Sequence, residues 1–517
     1  MNKSIAQAAV VIMIMNLASR LLGFGRETVI AGKFGATFLT DAYLVAYTLP
    51  YFLQAVLGMA LVTSIVPVVT KYLVRHEERE AWKIASITLN WTVLFLAAFA
   101  VLGMAGARVL VNVTAPGFDA ATADLATTLT VIMFPSVIFV GGGMLITGIL
   151  NAKKSFALAA FAPGFSSLII IVAVLFFGQF GIHYLAWGTL LSMVGAMLVQ
   201  LPALRRIGFR YTWDWNLRHP EVGGIFANLL PIFLGTAVNQ IYLAINRYFA
   251  SGLAEGSISA LNYAGKLMNL PMGIFVLAVS SAIFPTLSEQ AVIGDRPALG
   301  QTLSRGLKLV LLVTLPATAG LMALAEPIVR LLFERGAFDA AATDMTAQAL
   351  FYFCIGMSAM AANMVITRAY YAVRDVKTPL VLGFLSIIVN IIASILFVRF
   401  MGHSGLALAN TLAAIFSAVL MFLLLKRHLP RLYMLDLLGS TGKAFVASIL
   451  TALVAYSSFH YLAGAVIDMH TTKSLLVGVF IAVILGMAVY GVSILLLREK
   501  ESMQLLKGLT VRLQRKR

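Results

Sequence analysis

Stretches of about twenty or more mostly apolar residues recur along the whole chain, separated by short connections. A run of about 20 apolar residues is what an α-helix needs to cross a hydrocarbon core about 30 Å thick. Inside that core every backbone N–H and C=O must be satisfied by the protein itself, so continuous helices are the expected form. Fourteen are predicted, at about 7–32, 38–70, 85–112, 122–150, 156–178, 183–204, 223–252, 257–290, 300–333, 343–373, 378–401, 404–426, 440–463 and 473–497. Composition agrees: of 517 residues, 60% are apolar and 11% charged, against about 45–50% and about 25% in soluble domains. The predicted class is an all-α polytopic membrane protein. Soluble enzymes, nucleic-acid binders and disulfide-stapled secreted domains are excluded. The first apolar run follows one lysine and has no small-residue cleavage site, so it reads as a spanning helix rather than a signal peptide.

Reactive chemistry is absent from the pattern. The single cysteine, Cys354, sits in an apolar run and has no partner for an intrachain disulfide. The seven histidines are scattered, without metal-ligand spacing, so no metal is expected. Gly439-Ser440-Thr441-Gly442-Lys443 lacks the first glycine of a phosphate-binding loop at the right spacing and is followed by Ala444. No carboxylate pair or Ser/His arrangement suggests catalysis. The expectation is a transporter without cofactor, driven by the substrate gradient, an ion or the membrane potential, and no enzyme.

The net charge of +17 needs a location. With an even number of helices both termini share one side. That side collects 27 of the 38 Lys and Arg, Lys308 among them, and the other side six. By the positive-inside rule both termini are expected in the cytoplasm, where the cations meet anionic headgroups. Five remain in or near the apolar helices: Arg20, Arg26, Arg247, Lys266 and Arg368. A cation at a helix centre costs about 2.5–3.5 kcal/mol on insertion scales, so such residues usually face a bundle interior or a water-filled cavity. Arg368, near a helix end, is free to snorkel. Glu27 and Asp41, the acids inside the first two helices, are too few to neutralise the rest.

A duplication runs through the chain at an offset of 220–221 residues. Arg26, Leu49 and Pro50 recur as Arg247, Leu270 and Pro271. Met144 to Thr147 recur as Met364 to Thr367, Lys154 as Arg374, and Gly181 as Gly402. Six helices per repeat make the halves parallel, a transporter design with substrate held near the midplane. The expected organisation is an N-lobe over 1–221, a C-lobe over 222–432, and two further helices with a basic tail over 433–517. Pro50, Pro67, Pro231, Pro271 and Pro285 are expected to kink the helices lining the cavity.

A cavity with surplus Arg and Lys prefers an anion, and guanidinium forks match phosphate oxygens. Arg20 and Arg26 lie about 120° apart around an ideal helix, and Gly23 and Gly25 between them are expected to distort the turn. Glu27 and Asp41 are expected to hold the arginines as a replaceable ion pair when substrate is absent.

Several segments carry a resemblance. Ser19-Arg20-Leu21-Leu22-Gly23-Phe24-Gly25-Arg26-Glu27, continuing through Phe34-Gly35-Ala36 to Thr40-Asp41-Ala42, closely resembles the MurJ/MviN lipid II flippases. So do Asn262-Tyr263-Ala264-Gly265-Lys266-Leu267-Met268, Leu332 to Phe338, and Arg368 to Pro379. The resemblance spans essentially all fourteen helices. It implies the multidrug/oligosaccharidyl-lipid/polysaccharide exporter superfamily, with two six-helix lobes and two C-terminal helices that shape a groove for the lipid tail. The implied task is moving lipid II, an undecaprenyl-diphosphate-linked disaccharide-pentapeptide, to the outer leaflet of the bacterial inner membrane, with cell-wall synthesis proteins as further partners.

By the same resemblance Arg20, Arg26 and Asp41, with Ser19 and Glu27 in the motif, fall on the cavity positions. Lys266 stands where many relatives have arginine. The expected grip on the diphosphate is Arg20, Arg26 and Lys266, with Arg247. Two departures stand out: Leu53-Gln54-Ala55 replaces an arginine of many relatives after the proline, and Asn246 and Ser394, beside Asn390, replace carboxylates that hold sodium in some. Other expected readings are a flippase for a different polyprenyl-diphosphate glycan, or a multidrug or cation antiporter, which would favour acidic cavity residues.

Overall fold

The computed structural model describes residues 3–425, 429, 434–465, 471–499, 501 and 503, and among these it contains helices and no strand. The cations Lys426, Arg427, Arg431, Lys500, Lys507, Arg512, Arg515, Lys516 and Arg517 lie outside the described residues. In the first half the helices are α1 (Lys3–Phe34), α2 (Phe38–Val74), α3 (Glu78–Ala105), α4 (Ala107–Thr114) and α5 (Ala120–Met133). They continue as α6 (Ser136–Ala152), α7 (Phe156–Phe177), α8 (His183–Leu198), α9 (Leu201–Arg206) and α10 (Pro220–Ala250). The second half holds α11 (Ser257–Pro271), α12 (Leu277–Ile293), α13 (Arg296–Ala323), α14 (Ala325–Phe333) and α15 (Ala340–Ala372). The last are α16 (Lys377–Met401), α17 (His403–Leu425), α18 (Met434–Ala465) and α19 (Thr472–Leu496).

Helix therefore occupies each of the predicted ranges. Among the described residues eleven helices are long and apolar enough to cross a membrane, or twelve if the bent pair α5 and α6 is one span. That pair differs from the unbroken helix predicted over 122–150: it bends by 41° around Phe134 and Pro135. Proline has no N–H to continue the ladder, and its ring crowds the preceding turn. Pro271 has a similar effect, since the backbone loosens into a π-helical turn over Met272–Val276 directly after it. Pro50 and Pro67, by contrast, lie within the unbroken α2.

By contact the chain forms two compact units, residues 1–259 with 335–339, and 260–334 with 340–517. In the first, α2 packs on α3, α5, α6 and α10, while α6 also meets α3 and α8, and α7 lies between α1 and α8. Its core includes Leu61, Ile65, Trp82, Ile84, Ile87, Leu145, Ile149, Leu204 and Ile225. In the second, α12 packs on α13 and α15, and α15 meets α13 and α17, and α17 meets α16. The two C-terminal helices pack on each other, α18 also on α13, joined by Ala444, Ala447 and Ile494 around Leu312. The hydroxyl of Tyr490 donates to the Leu312 carbonyl at 2.6 Å.

One cation counted at the cytoplasmic side is inside that packing. Lys308 of α13 is 4% exposed and pairs with Asp436 of α18, with Glu501 at 4.0 Å. Ser440 donates to the buried Glu499 at 2.9 Å.

Candidate functional site

Arg26 sits three-quarters of the way along α1, with its side chain 21% exposed and its guanidinium 2.5 Å from Glu27. Arg20 is exposed on the same helix. The glycines between them do not distort α1, which runs unbroken from Lys3 to Phe34. Nor does close packing require them: a Cβ at Gly23 would stand 3.8 Å from Ser167 Oγ, and one at Gly25 4.0 Å from Ile171, both ordinary contact distances against α7. Ser19 belongs to the same seam, since its hydroxyl donates to the Ala160 carbonyl at 3.1 Å.

Opposing charge is divided unevenly. Glu27, 7% exposed, answers Arg26. Asp41, 4% exposed near the start of α2, is occupied differently. Its carboxylate accepts from the backbone N–H of Gly256 at 2.9 Å, from that of Ser259 at 2.8 Å, and from the Ser259 hydroxyl at 2.5 Å. It thus anchors the turn at 256–259, the sort of orphan helix-start donors that a carboxylate satisfies well. The expectation that Asp41 holds the arginines gives way to this capping role. Close backbone approach explains the glycine: Gly256 has φ +83, and a Cβ there would be 2.1 Å from the Ala36 carbonyl oxygen.

Arg247 of α10 is 6% exposed and donates to Thr48 Oγ1 of α2. Among the described residues it has no carboxylate within salt-bridge distance. A buried charge answered only by a neutral hydroxyl is costly. Beside it α2 presents three tyrosines one turn apart. Tyr43 and Tyr47 stack with ring centroids 6.0 Å apart, and Tyr47 and Tyr51 are 5.8 Å apart. Tyr43 and Thr189 hydroxyls are 2.9 Å apart, and the Tyr47 hydroxyl donates to Gln54 Oε1 at 3.3 Å. Sequence reasoning missed this face, although Tyr at i, i+4 and i+8 followed by Gln54 states it by helical spacing. Gln54 is one of the residues that had marked a departure from the family.

Arg26, Glu27, Asp41 and Arg247 thus lie in the first unit, and Lys266 belongs to the second, half-buried on α11. Arg368 does not snorkel. Its Nε donates to Ser280 Oγ at 3.2 Å, and its guanidinium lies 5.5 Å from the centre of the Phe284 ring, both on α12. Asn390 and Ser394, one turn apart on α16, are fully buried, and the Asn390 side-chain amide donates to Asn410 at 3.3 Å. Asn390 Oδ1 and Ser394 Oγ lack partners. Two neutral oxygens supply no charge to offset the desolvation of a cation, so these residues fit a sodium ion poorly. No group of three His, Cys, Asp or Glu able to hold a metal occurs among the described residues.

Comparison with known proteins follows this geometry. A family model described as lipid II flippase MurJ matches residues 30–497. A lipid II flippase MurJ of Burkholderia cenocepacia is 34% identical over 425 residues, covering 80% of this chain and 82% of that protein. A probable lipid II flippase MurJ of Vibrio cholerae is 30% identical over 437 residues, covering 81% and 83%. A solved lipid II flippase MurJ in an inward closed conformation superposes with a TM-score of 0.79 at 25% identity, over 94% of this chain and 99% of that one. An inward-facing multidrug resistance MATE transporter of the MOP superfamily gives 0.67 at 16% identity, over 82% and 98%, a likeness of fold alone.

Proposed function

The chain belongs to the lipid II flippase MurJ family, and from that premise we propose how its own side chains take hold of the substrate. The protein is a multi-pass membrane transporter, not an enzyme, and its substrate is lipid II. One observation carries the reading of the site: Arg247 is buried without a carboxylate partner, while Arg26 of the same unit has only the adjacent Glu27 as its ion pair. Both guanidinium groups suit a diphosphate, whose oxygens accept two parallel N–H bonds from each fork. Substrate displaces Glu27 from Arg26 and supplies Arg247 with the anion it lacks. Arg20, on the same helix as Arg26, contributes further positive charge. Ser19 positions α1 on α7, and Asp41 holds the 256–259 turn rather than the ligand.

The wider architecture of the reading is fourteen spans: two parallel six-helix lobes over 1–221 and 222–432, then two helices and a basic tail over 433–517. Repeated packing supports it. The contacts of α2 with α3 and α6, of α3 with α6, and of α6 with α8 recur as α12 with α13 and α15, α13 with α15, and α15 with α17. Left-handed residues also recur at the repeat offset: Gly35 and Gly256, Lys154 and Arg374, Gly181 and Gly402. Transport proceeds by alternating access, from the cytoplasmic to the outer leaflet of the inner membrane, with the polyprenyl tail left in lipid. Both termini are cytoplasmic. Cytoplasmic cations contact anionic lipids, and cell-wall synthesis proteins are the expected partners.

The test is replacement of Arg26 or Arg247 by alanine in cells that depend on this protein. Each variant is expected to be made and inserted, yet to leave lipid II on the cytoplasmic leaflet by leaflet-specific detection. Arg26→Lys keeps the charge without the fork and should retain partial function. Normal growth and normal outer-leaflet lipid II with either alanine variant would remove that residue from the site.

A further inference from the structure

The connection between α9 and α10 is an ordered strap laid along α3. It is not helical, and its polar backbone is met by side chains of that helix. The Thr212 N–H donates to Ser86 Oγ at 3.1 Å, Asn90 Nδ2 donates to the Asp214 carbonyl at 2.9 Å, and Trp91 Nε1 donates to the Trp215 carbonyl at 3.1 Å. The Tyr211 hydroxyl returns to Asn90 Oδ1 at 2.7 Å, and Lys83 stands 3.7 Å from Asp214. Phe209 packs edge-on against Trp82. The inner face is thus tied to α3 by backbone and side chain alike.

The outer face is of another kind. Tyr211, Trp213 and Trp215 form a train of edge-to-face rings, 6.3 and 5.6 Å between centroids, and Trp213 is 77% exposed. Arg205, Arg206, Arg210 and Arg218 flank the train, all exposed, and none has a carboxylate within salt-bridge distance among the described residues. Its one acid, Asp214, is turned inward to Lys83. Depth points to the same place. At 1.5 Å per residue the 28 residues of α3 span about 42 Å, some 12 Å more than the hydrocarbon core. Arg108 follows just beyond its far end, so the excess falls at the start of α3. The contacts from Lys83 to Trp91 therefore straddle the level at which α3 reaches the lipid. Trp and Tyr concentrate at that level, and Arg beside it meets headgroup phosphates.

We propose that the strap, together with Arg205 and Arg206 at the end of α9, is a binding surface for anionic phospholipid headgroups, its aromatic train seated at the membrane interface and the four arginines on the phosphates. The occupant is the bilayer around the protein, and the binding is separate from the transport site. Each arginine is expected to contribute roughly fivefold to affinity for an anionic surface.

The full-length protein in nanodiscs of phosphatidylcholine, with and without phosphatidylglycerol, tests this. Lipids brominated near the headgroup end of their chains should quench the emission that Trp213→Phe removes, and aqueous iodide should not. Phosphatidylglycerol should bind preferentially to the wild type. Arg205→Gln, Arg206→Gln, Arg210→Gln and Arg218→Gln together should abolish that preference. Trp213→Phe serves only to assign the Trp213 emission, and an unchanged melting temperature of the fourfold variant shows that it is folded. Quenching by iodide but not by brominated lipid would overturn the proposal and leave the face to a protein partner. An undiminished phosphatidylglycerol preference in the fourfold variant would overturn the role of the arginines. Neither readout depends on lipid II transport, so this inference and the flippase reading fail separately.

Discussion

Asp41 shows how a single carboxylate changes meaning with its surroundings. In the sequence it is an acid near two arginines; in the structure three donors of the 256–259 turn converge on it. Each hydrogen bond to a charged acceptor contributes about 1.5–3 kcal/mol, and a buried donor left without a partner costs about 1–3 kcal/mol. Asp41→Asn turns one acceptor oxygen into an NH2 group aimed at N–H donors. Hydrogen exchange at Gly256 and Ser259 is therefore expected to accelerate in Asp41→Asn. Unchanged protection there would mean that the carboxylate is not the anchor. Arg247 is the opposite case, since its position in the repeat is legible from Arg26 221 residues earlier. Its partner is not legible, because Thr48 lies 199 residues away and is one of many threonines.

At the scale of helices, hydrophobic runs located the spans, while breaks and seams depended on neighbours. The break at Pro135 follows from a residue visible in the sequence but passed over inside an apolar run. Gly23 and Gly25 were read as a distortion because a glycine pair weakens an isolated helix. Yet α1 runs unbroken through both, and the glycine that lets α1 and α7 approach is Gly164 of α7, where a Cβ would stand 2.8 Å from Ser19 Oγ. The seam between α13 and α18 carries its own test. Lys308 is the buried member of its pair and Asp436 the half-exposed one, at 46%. Asp436→Asn leaves an ammonium buried with only the more distant Glu501, whereas Lys308→Met leaves a carboxylate that water can reach. Asp436→Asn should therefore lower the melting temperature in detergent more than Lys308→Met. Its cost should stay below the about 3–5 kcal/mol of breaking a fully buried pair. The reverse order would show that the ammonium is hydrated in the folded protein.

For the whole molecule, the bias of 27 cations against six predicts that both termini are cytoplasmic. Reporters fused to either end should score as cytoplasmic, and a periplasmic score at one end alone would make the number of spans odd. The sequence by itself determined the membrane class, the helical character of the apolar runs and the family motifs. Helices in lipid satisfy their backbone within their own segment, so an apolar run of the right length specifies its structure locally. The tertiary structure alone decided which charges are answered: Arg26 by its neighbour Glu27, Lys308 by an Asp436 128 residues away, and Arg247 by Thr48. It also decided that the connection between α9 and α10 is a strap along α3 rather than a free basic linker. Pairing and docking are contacts between segments remote in the chain, and no local pattern encodes which of them meet.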